Sequence, residues 1–304
     1  MSCLEELNAK YPQRNSLEQK AAFRRWAAEQ AEKNSFTVRE EENEGHINLV
    51  IGDPEKASVL FTAHYDTPRR SLFPNLLLPT KMWLKILYTF GILIPILAVA
   101  VLAGVSAGAA FGGFESFIGR LGGLAVYMVI YFGFYCLLFR GPANLSNKND
   151  NTSGSAAVLD LTVSLSGIKE AAFILFDDEE KGKKGSKAWT AAHSALKENL
   201  LTINMDCVGN GEHFIVSVPE EAEKDAAWAA FRKALEGIGA KLYPSRKASM
   251  NSDQKNFRKG VGICACLFGK VIGYYTPRIH TKNDTVASEE TVDRLTKALT
   301  SGIK

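Results

Sequence analysis

Cysteine is scarce in this chain. Cys3, Cys136, Cys207, Cys264 and Cys266 are odd in number and scattered over 304 residues. That scatter excludes a disulfide framework, and a chain of this length builds its core without covalent staples. Cys264-Ala-Cys266 lies in the apolar run 261–268 and reads as part of a buried strand, not as a redox or metal pair. Thiols without partners suit a reducing compartment. Met1–Lys20 holds no apolar stretch, so no secretory signal is expected there. No internal repeat, low-complexity tract or flexible linker interrupts the sequence. Positive charge is not in excess where a nucleic-acid face would need it. The net charge is +3, the segment 71–149 carries five basic residues and one acidic one, and the remainder therefore nets −1.

The most informative absence is charge of either sign: none occurs in 86–114 and none in 121–139. A bilayer core requires about 20 mostly apolar residues per helix, so each run is long enough to span, over about 84–107 and 121–139. Apolar residues of the second run cover every face of a helix, which argues against a hairpin buried in a soluble core. Arg69, Arg70, Lys81 and Lys85 precede the first span, and Arg140 and Lys148 follow the second. The connection between them carries one charge of each sign, Glu115 and Arg120. Positive-inside bias then puts both flanks, and the rest of the chain, on the cytoplasmic side of the cell membrane. Pro95 and the Gly104/Gly108 pair are expected to bend the first span and let it pack closely on the second.

Outside this insertion, strands and helices alternate. Helices are expected at 16–33, 154–165, 185–197, 222–238 and 288–300. Strands are expected at 36–41, 46–51 (paired through a Gly45 turn), 59–63, 171–176, 201–205, 213–218 and 262–268. The implied fold class is α/β: a single domain with a central mixed, mostly parallel sheet flanked by helices, interrupted by a transmembrane helical hairpin. That domain would be discontinuous, 1–70 and 142–304, with the hairpin at 71–141.

In such folds ligands gather at the carboxyl ends of strands. Val59-Leu-Phe-Thr-Ala63 runs into His64, Phe173-Ile-Leu-Phe176 into Asp177-Asp178-Glu179-Glu180, and Leu201-Thr-Ile-Asn-Met205 into Asp206. Asp150 opens a loop before a helix, and His280 closes a turn rich in Gly, Tyr and Pro. Two imidazoles with three carboxylates suit two zinc or similar divalent ions: one histidine and one carboxylate for each, and a third carboxylate bridging. A further carboxylate must then move the proton of the attacking water to the leaving group. Adjacent Glu179 and Glu180 suit that division, one toward metal and one toward substrate. His46, His193 and His213 lack a neighbouring acidic pattern and are not assigned to the site.

The ordered set Thr62-Ala-His64-Tyr-Asp66-Thr67, Asn149-Asp150-Asn-Thr-Ser-Gly154, Glu179-Glu180-Lys-Gly-Lys-Lys-Gly185-Ser186, Asn204-Met-Asp206 and Ile279-His280-Thr-Lys-Asn-Asp284-Thr285 resembles the co-catalytic zinc aminopeptidases. Aminopeptidase Y, bacterial leucyl aminopeptidase and glutamate carboxypeptidase belong to that family. The resemblance covers roughly residues 20–300 apart from the insertion. It implies that His64 and Asp206 bind one metal, Glu180 and His280 the other, that Asp150 bridges, and that Glu179 is the general acid/base. Asp66 would accept a hydrogen bond from the His64 ring and fix its tautomer. Asp284 would support His280 similarly or simply form a turn. The metals would be Zn2+, with Mn2+ or Co2+ as alternatives, the partners a peptide substrate and the lipid bilayer, and the activity removal of N-terminal residues. Glutaminyl cyclases share the scaffold, and a catalytically silent membrane scaffold is the non-enzymatic alternative. The chain departs from the family at Gln254, where His is frequent, and at Lys181, Lys183 and Lys184, where apolar residues are usual.

Overall fold

Elements follow from local signals along the chain. The computed structural model describes residues 2–73, 75–139 and 141–303. Ser2 caps α1 (Cys3–Lys10), a short helix that periodicity did not reveal. Helix α2 (Leu17–Lys33) opens on a reciprocal capping box between Ser16 and Gln19. Strands β1 (Val38–Asn43) and β2 (His46–Ile51) form a hairpin whose Glu44 and Gly45 both adopt the left-handed conformation, φ 52° and 81°. Strand β3 (Val59–His64) is buried throughout. The two apolar runs form α3 (Met82–Ala110) and α4 (Phe117–Phe139), longer than the apolar cores that predict them. Beyond them come α5 (Gly154–Ser164), β4 (Ala171–Phe176), α6 (Lys184–Ala192), α7 (Ser194–Asn199) and β5 (Leu201–Met205). The chain closes with β6 (His213–Val218), α8 (Glu220–Glu223), α9 (Trp228–Gly237), β7 (Lys241–Pro244), β8 (Gly260–Gly269), β9 (Gly273–Tyr275) and α10 (Glu289–Ser301).

Two expected helices are broken by side chains that compete for the backbone. The helix expected over 185–197 divides into α6 and α7 at His193, whose Nδ1 lies 2.9 Å from the Trp189 carbonyl and whose ring stacks on Trp189. The helix expected over 222–238 stops after α8 and restarts as α9, because the Asp225 carboxylate accepts from the Ala227 N–H and holds Lys259.

The sheet order is β1-β2-β4-β3-β5-β8-β6-β7, with β9 on β8. The expectation of parallel strands holds at the centre, β4-β3-β5-β8, and for β6-β7; β1-β2, β2-β4, β6-β8 and β8-β9 are antiparallel. Every residue of β3, β4 and β5 is buried, as continuous apolar runs in a doubly covered sheet require. Helices α1, α2, α5, α9 and α10 cover one face over Phe61 and Phe173. Helices α6 and α7 cover the other, around Trp189, Phe176 and Phe257. Cys264 and Cys266 are buried in β8, free and with no disulfide.

Helices α3 and α4 pack on each other through glycine. A Cβ on Gly104 would lie 2.9 Å from the Gly123 carbonyl oxygen, and one on Gly123 would lie 2.7 Å from that of Gly104, so the backbones approach closer than any side chain permits. Their outer faces expose Leu87, Phe90, Ile94, Leu102, Val129 and Phe132. Both helices are long and apolar enough to cross a membrane, and only 6% of the apolar window of each is buried. The base of the hairpin is tied to the sheet domain. Arg69 bridges Ala143, Leu77 bridges Thr276, the Ser249 N–H donates to the Pro79 carbonyl, and Lys81 Nζ donates to the Val271 carbonyl. Arg140, one of the flanking basic residues, lies outside the described residues.

Candidate active site

Three adjacent parallel strands, β4, β3 and β5, end on the same edge, and their last residues deliver side chains to one place. His64 is the last residue of β3, Asp177–Glu180 follow β4, and Asp206 follows β5. Asp150 reaches the same point from the 148–153 segment, where its φ of −105° and ψ of 101° depart from helix, and the Asp150–Asn151 peptide bond is cis. His280 arrives in a left-handed conformation, φ 59°, with its carbonyl accepting from the Ser71 N–H.

The distances describe two overlapping groups. His64 Nε2 lies 3.5 Å from Asp150 Oδ1 and 3.8 Å from Asp206 Oδ1. His280 Nε2 lies 3.2 Å from Asp150 Oδ2 and 3.4 Å from Glu180 Oε2. The two oxygens of one carboxylate, Asp150, thus face the two imidazoles. The donor atoms of His64, Asp150 and Asp206 lie within 4.8 Å of one another, as do those of Asp150, Glu180 and His280, and those of His64, Glu179 and Glu180. All five residues expected as ligands, and Glu179 with them, therefore converge.

Backbone amides fix the loops that carry these groups. The Asp66 carboxylate accepts from the Glu179 and Glu180 N–H groups at 3.0 and 3.2 Å. Its role differs in part from expectation: the His64 Nδ1 is 3.1 Å from the Asp66 main-chain carbonyl and 3.3 Å from its carboxylate, so this residue positions the ring and the glutamate loop together. Asp284 does not reach His280; it accepts from the Asn149 and Asp150 N–H groups at 3.1 and 3.0 Å. Asn151 joins its own loop to the end of β5, donating to the Met205 carbonyl and accepting from the Cys207 N–H.

Charge within the cluster is unbalanced. Burial pushes Glu179 and Glu180 well above the usual carboxylate range, and Asp150 and Asp206 add repulsion at Glu180. Burial opposes a charged His64, yet Asp150, Asp206 and Asp66 outweigh it and raise the imidazole well above its ordinary value. Among the described residues no lysine or arginine forms an ion pair with Asp150, Glu179, Glu180 or Asp206. Asp206 Oδ1 is buried and has no hydrogen-bond partner among the described residues. An acceptor-rich, cation-poor cluster with an orphaned carboxylate oxygen fits divalent ions.

Several supporting residues carry no sequence signal. Arg14 is fully buried; its guanidinium donates to the carbonyls of Tyr65 and Tyr11 and to Thr152 Oγ1, and burial pulls it down to about 10. Lys20 pairs with Asp177 and Asp178, so the acidic run divides into a salt-bridged half and a site half. His46, left unassigned in sequence, sits 2.9 Å from Asp178 Oδ2, and His193 Nε2 lies 3.3 Å from Glu41 Oε1; these partners are far apart in the chain. Gln254 packs beneath Gly262, accepts from Asn204 and donates to the Met250 carbonyl.

Residues 146–301 match the model of peptidase family M28, just over half of the chain. The chain belongs to peptidase family M28. The match begins just after the hairpin and contains Asp150, Glu179, Glu180, Asp206 and His280; His64 lies before it. As an M28 member the protein is a metal-dependent peptidase. Among curated proteins none matches this chain. Solved structures agree in fold. The Porphyromonas gingivalis glutaminyl cyclase has a TM-score of 0.61 at 14% identity, over 99% of this chain and 96% of its own. The Legionella pneumophila LapA aminopeptidase has 0.58 at 14%, over 99% and 69%. A Bacteroides thetaiotaomicron leucine aminopeptidase precursor has 0.57 at 14%, over 99% and 95%.

Proposed function

We propose that this M28 protein is a membrane-anchored dinuclear zinc aminopeptidase. The observation that carries the reading is the convergence of five donors into two groups sharing Asp150. His64 and Asp206 would hold one ion, Glu180 and His280 the other, and Asp150 one oxygen toward each. Two such ions would supply Lewis acidity toward the scissile carbonyl and the attacking water. Glu179, half-buried beside these donors, accepts the proton of the attacking water and returns it to the leaving amine. Asp66, through the amides of Glu179 and Glu180, keeps both glutamates aimed at the site.

The catalytic domain in this reading is 1–70 with 142–304, and 71–141 is a hairpin crossing the cell membrane twice. Arg69, Arg70, Lys81 and Lys85 on one flank and Arg140 and Lys148 on the other support a cytoplasmic catalytic domain.

Cleavage of aminoacyl-amide reporters by detergent-purified protein, with added zinc, manganese or cobalt, tests the activity. Metal-dependent hydrolysis that falls by about 10²–10⁴-fold in Glu179→Gln, with two ions still bound, is expected. Cyclisation of N-terminal glutamine by a protein holding a single ion would replace this reading with the glutaminyl cyclase alternative. A folded protein that binds no metal would leave a membrane scaffold.

A further inference from the structure

The first turn of α3, the segment that opens the apolar hairpin, reaches the catalytic cavity. Two cavities meet at Glu180 and His280. One, of about 390 Å³, is bounded by Glu179, Asp150 and Asp206 on the donor side and by Asn204, Ser252 and Gln254 on its floor. The other, of about 830 Å³, runs past Asp66 and Arg70 to Ile92 and Leu138 on the hairpin. Lys85, half-buried, lines the smaller cavity together with Asn75 and Leu77. The ties of Leu77 to Thr276, Pro79 to Ser249 and Lys81 to Val271 hold this turn against the sheet domain.

Lys85 has no carboxylate within ion-pair distance among the described residues. Lys183, on the same cavity, donates to the neutral Asn251 amide at 2.9 Å. The cavity floor is neutral and polar. On the dinuclear reading, Asp150, Glu180 and Asp206 are taken up by the ions, and Asp206 attracts Lys85 only from beyond ion-pair distance, which leaves the ammonium of Lys85 without a paired carboxylate on the cavity wall. A part-buried ammonium without a partner is costly, and a substrate anion relieves that cost.

We propose that Lys85 is a specificity-determining residue that receives a carboxylate of the substrate, so that the membrane insertion supplies part of the peptide-binding site. The volume suits one residue. The carboxylate is either the side chain of an acidic N-terminal residue or the C-terminal carboxylate of a very short peptide. This inference rests on the aminopeptidase reading.

The full-length, metal-loaded protein in detergent separates the sources. One arm compares Glu with Gln, and Asp with Asn, as aminoacyl coumarin amides; the other compares Leu-Ala with Leu-Ala amide. A kcat/KM ratio of about tenfold or more in favour of the charged member of one pair is expected. The arm in which it occurs names the source. That ratio should fall towards one in Lys85→Met and invert in Lys85→Glu, with metal content as the control for folding. Binding of the same pairs to the Glu179→Gln protein, read by calorimetry, should show the same contrast without turnover. Hydrolysis with no charged preference, or a preference that Lys85→Glu leaves intact, overturns the inference alone. No hydrolysis of any member overturns the aminopeptidase reading, and this inference with it.

Discussion

At the scale of single residues, the site depends on carboxylates that hold backbone rather than metal. Asp284 accepts from the two N–H groups that set the Asp150 loop. Asp284→Ala should weaken metal binding by about 10–100-fold while the fold survives, as measured by competitive zinc titration. Away from the site, Asp160 on α5 is raised to about 6, chiefly by burial and further by Asp293 and Glu289, with the Cys3 thiol working against the shift. A carboxyl with a raised folded pKa favours the folded state when protonated. Its contribution is therefore complete below the ordinary value of 3.8 and is lost as pH rises through about 6. Asp160→Asn should raise stability at pH 8 by about 2 kcal/mol and leave it unchanged near pH 3.5. Denaturant melts of both proteins at the two pH values check this; equal stabilisation at both would refute it.

At the scale of elements, the hairpin and the sheet obey different rules. In the sheet, apolar burial against two layers of helices decides position. In the hairpin, whose outer faces are apolar, association relies on backbone approach at Gly104 and Gly123. Gly104→Leu should separate α3 from α4 and cost about 1–3 kcal/mol of overpacking, seen as a lower melting temperature in detergent. Ion content should not change, because the donors stand on the sheet edge. Most of these elements were legible in sequence, since apolar runs and caps are local signals. The break at His193 and the stop at Asp225 were not. Each arises from one side chain taking a backbone group, in the interior of an otherwise acceptable helical pattern.

At the scale of the whole molecule, the chain leaves the sheet domain after Arg69 and returns at Ala143, which pair as a bridge. The insertion therefore sits on a closed neck. Replacing 72–141 by a short linker should give a folded protein with its ions bound but a raised KM, because Asn75, Leu77 and Lys85 are cavity walls. Unchanged steady-state kinetics would reduce the hairpin to a tether. A cysteine at Glu115 should react with an impermeant maleimide added outside intact cells, and one at Ser245 should not. The reverse pattern would overturn the cytoplasmic orientation.

The sequence alone was enough to single out His64, Glu179, Glu180 and Asp206, which follow apolar strand runs, and Asp150 and His280, which stand in loop motifs of the same ordered set; the structure brings the six together. It was also enough to locate the hairpin, because lack of charge over a bilayer-length run is a one-dimensional property. It could not assign Arg14, Lys20 or Lys85. Arg14 and Lys20 find their partners across the fold, and Lys85 its cavity, so their meaning depends on distance, not on spacing. The same holds for Asp284, which local spacing joins to His280 and the tertiary structure joins instead to Asp150. Strand ends are written in the chain. Which loop amides each carboxylate receives, and which face of α3 meets the cavity, are decided only when β4, β3 and β5 align and the neck fixes the hairpin against them.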